Sequence, residues 1–323
     1  MPCYSPLKGW RDAETGAWRS KASGCDVEME VACGSCLGCR LDRSRMWAIR
    51  LVHEASLYEF GNGNVFVTLT YRDRIECTPE QERLGLYIPD DWSLAKRHFQ
   101  LFMKRLRRLY KSRKIKYYHC GEYGAKCKHG VDLNEHKCEV CNFGRPHYHA
   151  ILFNISFHDL VKYNLVNGEY RYYSPLLSQI WGYGFCDVGA VNFESAAYVA
   201  RYCLKKKDGL MAEDWYLDKE TGAFYQPEYS TMSNGIGQGF YLSNKSDMFP
   251  SDEVPVHGSG VFKGVPRYYE KLFADEDPLT LEAIKEVRKK FREEHAEEYT
   301  PQALESKYKH KVKQIERLKR TVE

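Results

Sequence analysis

A chain of 323 residues, 43% of them hydrophobic, can bury a sizeable core in one large domain or two modest ones. It holds no apolar run of about 18 residues, which argues against a transmembrane helix, and the opening MPCYSPLKGWRDAETG lacks the apolar stretch of a signal peptide, so a cytoplasmic protein is expected. The formal net charge of +4 is too mild to imply a nucleic-acid partner by itself.

Residues 1–39 are rich in Gly and Cys and are expected to be irregular. From Arg40 to Tyr58 the apolar residues Leu41, Trp47, Ala48, Leu51, Val52 and Ala55 recur at helical spacing. NVFVTLTY (64–71) is β-branched and aromatic, with GNGN before it and Arg72-Asp73 after it, and reads as a strand. A charged, Pro- and Gly-containing loop runs to about Asp91. A second helix then turns Phe99, Phe102, Met103, Leu106 and Leu109 inward, with Asp90, Asp91 or Ser93 able to cap it. From Ala95 to Tyr118 there is no acidic residue, while Lys96, Arg97, Lys104, Arg105, Arg107 and Arg108 crowd in. Such a stripe is either a phosphate footprint or a solvated helix face, and its single sign favours phosphate.

KIKYYHCGE (114–122), HYHAILFNI (147–155) and GFCDVGAVN (184–192) read as further strands, and SAAYVARYCLKK (195–206) as a helix. Residues 207–270 look loop-rich, and residues 274–323 alternate charge along an exposed helical tail. This mixture predicts an α+β fold, an antiparallel sheet with helices on one face.

Successive side chains of a strand alternate faces, so His147 and His149 point the same way. They mark either a polar strand end or half of a metal site. If KIKYYHCGE pairs with the HYH strand, Glu122 completes a face of two imidazoles and one carboxylate, suited to Mn²⁺ or Mg²⁺, with zinc an alternative. On the SAAYVARYCLKK helix, Tyr198 and Tyr202 stand at i and i+4, and Lys205 follows on the same side. Paired tyrosines often form a core stripe. Here Ala196, Ala197, Val199, Ala200 and Leu204 already supply apolar surface, and Arg201, Lys205, Lys206 and Lys207 flank the phenols. The catalytic alternative is transesterification, a phenol attacking a phosphate polarised by a metal.

Twelve cysteines in a reducing compartment suggest metal sites or buried thiols, and their clustering favours metal. The insertion 124–143 carries Cys127-x-His129 and Cys138-x-x-Cys141, four tetrahedral zinc ligands in a closed loop, with His136 an alternative to His129. Cys33-x-x-Cys36-x-x-Cys39 offers three thiols, with Cys3 the best fourth partner and Cys25 the next. For that cluster zinc and a plain structural turn are evenly matched.

VFVTLTY, RPHYHAILF and YVARYCLKK, in this order, resemble the three motifs of the HUH endonucleases that initiate rolling-circle replication. MPCYSPLKGW, CGSCLGCRLDRSRMWAIRLVHEASLY, CGEYG, FESAAYVARYCLKK and MFPSDEV are similar to replication initiators of gokushoviruses, small single-stranded DNA phages of the microvirus group. The likeness runs from about residue 1 to 273, apart from KCKHGVDLNEHKCEVCNF, which stands where the family passes from GEYG to GRPHYH in a few residues. The resemblance implies an RRM-like (ferredoxin-like) sheet in an endonuclease domain spanning 40–273. It implies His147, His149 and Glu122 as ligands of a divalent metal, and Tyr198 and Tyr202 as nucleophiles assisted by Lys205. Arg201 and Lys206 join the basic stripe as expected DNA contacts. Single-stranded and origin DNA, with a host helicase or polymerase, are the expected partners, in the cytoplasm of a bacterial host and with no membrane. The rival readings are a zinc-stabilised nucleic-acid-binding module without catalysis, and a transposase or relaxase of the same superfamily.

Overall fold

A computed structural model describes residues 3–12, 15, 18–21, 27–59, 62–166, 168–205, 215–219 and 221–317. The strands are β1 (Leu7–Arg11), β2 (Trp18–Arg19), β3 (Val27–Val31), β4 (Asn64–Thr70), β5 (Lys116–Tyr123), β6 (Pro146–Phe153), β7 (Val161–Val166), β8 (Glu169–Tyr173), β9 (Cys186–Gly189), β10 (Tyr229–Met232), β11 (Glu253–Val256) and β12 (Gly260–Lys263). The helices are α1 (Leu37–Ser56), α2 (Pro79–Arg83), α3 (Lys96–Leu109), α4 (Pro175–Trp181), α5 (Phe193–Lys205), α6 (Gln238–Met248), α7 (Arg267–Ala274), α8 (Pro278–Glu294) and α9 (Pro301–Arg317). The α+β class expected from the sequence is the one observed.

The chain divides into two compact units, and the larger comprises Trp47–Lys245 and Pro255–Phe262. It is built on a seven-stranded sheet of order β10-β5-β6-β4-β9-β8-β7, antiparallel at every junction. β4 and β6 are buried over most of their length, because their odd and even positions are both apolar. Val65, Val67 and Leu69 of β4 and Tyr148, Ala150 and Leu152 of β6 face one way, into a core with Phe99, Phe102, Met103 and Leu106 of α3 and Leu177, Ile180 and Trp181 of α4. Phe66, Ile151, Phe153, Tyr118 and Cys120 face the other way and meet Ala48, Leu51 and Ala55 of α1 with Ala196 and Val199 of α5. Helices therefore cover both faces, not one. A sheet with two apolar faces must bury both.

Local chemistry fixes the helix ends that matter. Asn192 Oδ1 accepts the Ser195 N–H at 2.8 Å, and Ser195 Oγ accepts the Asn192 N–H at 2.9 Å, so α5 starts in a fixed phase. Ser174 caps α4 through the Leu177 N–H, Pro175 occupies its first turn, and Gly182 ends it at φ 79°. On α3 neither Asp90, Asp91 nor Ser93 is the cap: the helix begins after Ala95, and Ser93 Oγ instead accepts the Gln226 N–H.

The smaller unit comprises Met1–Met46, Ser246–Val254 and Lys263–Glu323. Its N-terminal part is a three-stranded sheet of order β2-β1-β3, where the sequence suggested irregular chain. Arg288 of α8 binds Asp252 and Glu270 at 2.5 and 2.6 Å, Arg292 binds Glu30 of β3 at 2.7 Å, and Tyr308 of α9 meets the edge of Tyr4. The region 207–270 also holds more structure than its composition suggested, in β10, α6, β11, β12 and the start of α7. Among the described residues no helix is long and apolar enough to cross a membrane.

Candidate functional site

β5 and β6 pair with Glu122 directly opposite His147 and Cys120 opposite His149. The insertion lies wholly in the connection between these strands, and their register carries through to Tyr123 opposite Pro146. Both imidazole Nε2 atoms converge on one carboxylate oxygen, Glu122 Oε1, at 2.7 Å from His147 and 2.9 Å from His149. The outer nitrogens are held from behind. His147 Nδ1 lies 3.2 Å from the Arg145 carbonyl and His149 Nδ1 lies 3.0 Å from Thr68 Oγ1. Such outer partners orient imidazoles that bind metals and fix which nitrogen offers its lone pair. Burial by itself would raise the Glu122 carboxyl, but the two imidazoles more than reverse this and hold it below the usual carboxylate range. His119, on the opposite face of β5, stacks on Phe99 and takes no part.

α5 lies over this face of the sheet. With Ala196, Val199 and Ala200 buried beneath it, Tyr198 is turned toward the histidines, its ring edge-on to His149 with centroids 5.2 Å apart. The Tyr198 hydroxyl stands 3.5 Å from His149 Nε2. Tyr202 and Lys205 belong to the same helix one and two turns on. Their side chains, and the whole of Lys206, lie outside the described residues.

Among the described residues three groups have donor atoms close enough to hold one ion, all within 4.8 Å of one another: Glu122, His147 and His149; Cys127, His129, Cys138 and Cys141; and Cys3, Cys33, Cys36 and Cys39. His136 is in none of them. In the insertion, the Cys138 and Cys141 sulfurs lie 3.4 and 3.5 Å from His129 Nδ1. Zn–S and Zn–N bonds of about 2.3 and 2.0 Å give a tetrahedral edge of about 3.5 Å. The backbone N–H groups of Val140 and Cys141 bring the Cys138 thiol down to about 6, while burial pushes the Cys141 thiol up to about 12. The loop is further fixed by Lys128, which binds Asp218 at 2.7 Å.

The basic stripe lies elsewhere. α3 packs on the sheet face opposite the histidines, and Arg105 donates to the carbonyls of Ile180 and Trp181 at 2.6 and 2.7 Å, capping the end of α4. Arg107 donates to the Ile115 carbonyl, and Lys96 lies over the Tyr229 ring. Lys104, Arg97 and Arg108 are exposed on that side, and Arg201 is exposed on α5.

Two features escaped the sequence reading. Thr68 is one, although the alternation of VTLT already turns Thr68 and Thr70 to one face. The other is an aromatic group reached along one row of the sheet. His149, Thr68, Asp187 and Tyr173 are successive cross-strand partners from β6 to β8, so they share a face. Tyr173 stacks on Phe185 with centroids 5.3 Å apart and planes 6° apart, Tyr163 meets Phe185 edge-on, and Tyr163 donates to Asp187 at 2.9 Å. Phe185 and Tyr163 are 43% and 49% exposed, too open for a core role. β7 and β8 were overlooked although VKYNL and EYRY alternate apolar and polar residues in the sequence, the period of a strand.

Residues 64–131 and 136–207 match the profile of the family described as replication-associated protein ORF2/G2P. The chain is 33% identical over 284 residues to the replication-associated protein ORF2 of Spiroplasma virus 4, covering 82% of this chain and 74% of that one. It is 30% identical over 290 residues to replication-associated protein VP4 of Bdellovibrio phage phiMH2K, covering 86% and 79%. It is 28% identical over 274 residues to replication-associated protein ORF4 of Chlamydia phage 1, covering 80% and 58%. No solved structure gives a significant match.

Proposed function

The chain belongs to the family of phage replication-associated proteins, and from that premise we propose that it initiates rolling-circle replication as a tyrosine-dependent single-strand DNA nicking and rejoining enzyme of the HUH type. The observation that carries the reading is a phenol, Tyr198, 3.5 Å from an imidazole whose Nε2 shares a buried carboxylate oxygen with a second imidazole. A core stripe has no use for that polarity, and a binding module without catalysis has no use for a nucleophile beside a ligand set. The central sheet would be the RRM-like core of a catalytic domain over 40–273, acting in the host cytoplasm on origin DNA alongside host helicase or polymerase.

The donor set fits a divalent cation: two nitrogens and an anionic oxygen converge, and Arg145 and Thr68 tie back the outer nitrogens. Mg²⁺ or Mn²⁺ held by His147, His149 and Glu122 would supply Lewis-acid polarisation of the scissile phosphate. The chain's own work is positioning and attack. The Tyr198 oxygen bonds to phosphorus as the P–O3′ bond breaks, the phenol loses its proton, and the departing 3′-oxygen gains one. The product is a 5′-phosphotyrosine and a free 3′-hydroxyl, and the same exchange reversed rejoins a strand. With Tyr202 at i+4, one of the two phenols would carry DNA while the other serves the next transfer, with Lys205 assisting the phenolate. The strand would run from the histidines along Thr68 and Asp187 to Tyr173, Phe185 and Tyr163. Three strand spacings, about 14 Å, bring bases two or three nucleotides from the cut onto these rings.

The test is a single-stranded oligonucleotide carrying the origin, incubated with protein and Mn²⁺ and run on a denaturing gel. A covalent adduct is expected. Tyr198→Phe and Tyr202→Phe each keep the ring and remove only the hydroxyl, so each single variant should retain some adduct and the double variant none. Full activity in the double variant would reduce the helix to packing.

A further inference from the structure

The N-terminal cysteines have no part in the chemistry above. Cys33, Cys36 and Cys39 lead into α1, and Cys3 reaches them from the segment before β1. The Cys3 sulfur lies 3.6 Å from that of Cys33 and 3.8 Å from that of Cys36. A disulfide would bring a pair to about 2.05 Å. A tetrahedron of four Zn–S bonds of about 2.3 Å has an edge of about 3.8 Å. Backbone N–H groups point at the sulfurs: Tyr4 N–H donates to Cys36 at 3.3 Å, Cys33 N–H to Cys3 at 3.3 Å, and Cys36 N–H to Cys33 at 3.2 Å. Donors so placed stabilise thiolate over thiol.

A second observation is independent of these distances. Before Ala48, the buried positions among the described residues are Gly9, Gly38 and Ser44, none of which carries an apolar side chain beyond Cα or a hydroxymethyl group. Leu7 and Trp18 are 46% and 39% exposed, and Trp10, Met29 and Val31 are only half-buried. A small three-stranded sheet that buries no large apolar side chain fully gains stability from a cross-link or a metal.

We propose that Cys3, Cys33, Cys36 and Cys39 bind one structural zinc ion as a four-thiolate site, distinct from the insertion loop and from the histidine face. The ion ties the start of the chain to the first turn of α1 and fixes the next residue, Tyr4, where its ring meets Tyr308 of α9 at 5.6 Å. Zinc binding releases the thiol protons and involves no redox step. The site also gives the C-terminal helix a fixed partner at the other end of the sequence.

The test uses the full chain purified without added metal, in the Cys138→Ser/Cys141→Ser background so that the insertion cannot contribute. About one zinc per chain by elemental mass spectrometry is expected, falling to near zero on adding Cys3→Ser and Cys36→Ser. The unmutated N-terminal cluster offers a second reading that needs no further variant: Co²⁺ exchanged into the same background should give the intense visible band envelope of a tetrathiolate site. Loss of zinc should also expose α9 to limited proteolysis near Tyr308. Zinc unchanged by the Cys3 and Cys36 substitutions, iron in its place, or cobalt spectra of a site containing nitrogen would each overturn the proposal.

Discussion

Thr68→Val tests how the histidine face is held. The substitution keeps the branched shape at β4 and removes only the hydroxyl that meets His149 Nδ1 at 3.0 Å. His149 is 6% exposed, so water has little access to replace that partner. An orphaned buried donor costs about 1–3 kcal/mol. Loss of an outer partner of a metal-binding imidazole typically weakens metal affinity by about 10–100-fold. That factor corresponds to about 1.4–2.7 kcal/mol, inside the first range. Calorimetric titration of the full chain with Mn²⁺ should therefore show affinity weaker by one to two orders of magnitude, with the Mn²⁺ optimum for adduct formation displaced to match. Thr70→Val is the control, because the Thr70 hydroxyl donates to the Phe185 carbonyl and not to an imidazole. Affinity within twofold of the parent in Thr68→Val would refute the argument. An equal loss in Thr70→Val would assign the effect to a disturbed strand.

Cys138→Ser with Cys141→Ser should remove about one zinc per chain and lower the melting temperature, while leaving the β5–β6 register able to form; elemental analysis that shows no loss would mean other ligands. Arg105→Ala should destabilise the fold by about 1–3 kcal/mol in urea melts, since two charged hydrogen bonds to α4 carbonyls vanish, yet leave single-strand binding unchanged; a selective loss of DNA affinity would make Arg105 a DNA contact. Phe185→Ala with Tyr173→Ala should weaken binding of an unmodified oligonucleotide about 10-fold or more, at about 1–3 kcal/mol per stacked base, without altering zinc content. Unchanged affinity there would move the strand off this end of the sheet.

What the sequence determined was local and periodic. The strand around VFVTLTY, the HYH strand and the SAAYVARY helix announced themselves because alternation and helical spacing are properties of neighbours in the chain. The cysteine spacings were legible for the same reason: all four candidate ligands of the CxH…CxxC run, and three of the four in the CxxCxxC cluster, lie close together in the chain. What the tertiary structure decided was every relation across strands. Whether Glu122 meets the histidines depends on register, and a slip of one residue would have turned it to the other face. Thr68 becomes a partner of His149 only because β4 lies beside β6, and Tyr173 joins the same row only because β8 lies beside β9. The α3 stripe shows the converse: the sequence places its charges on one helix, but packing alone sets that helix on the face away from the histidines and gives Arg105 to the carbonyls of α4. A charge pattern records which side chains share a helix, and only the packing of that helix says what they face.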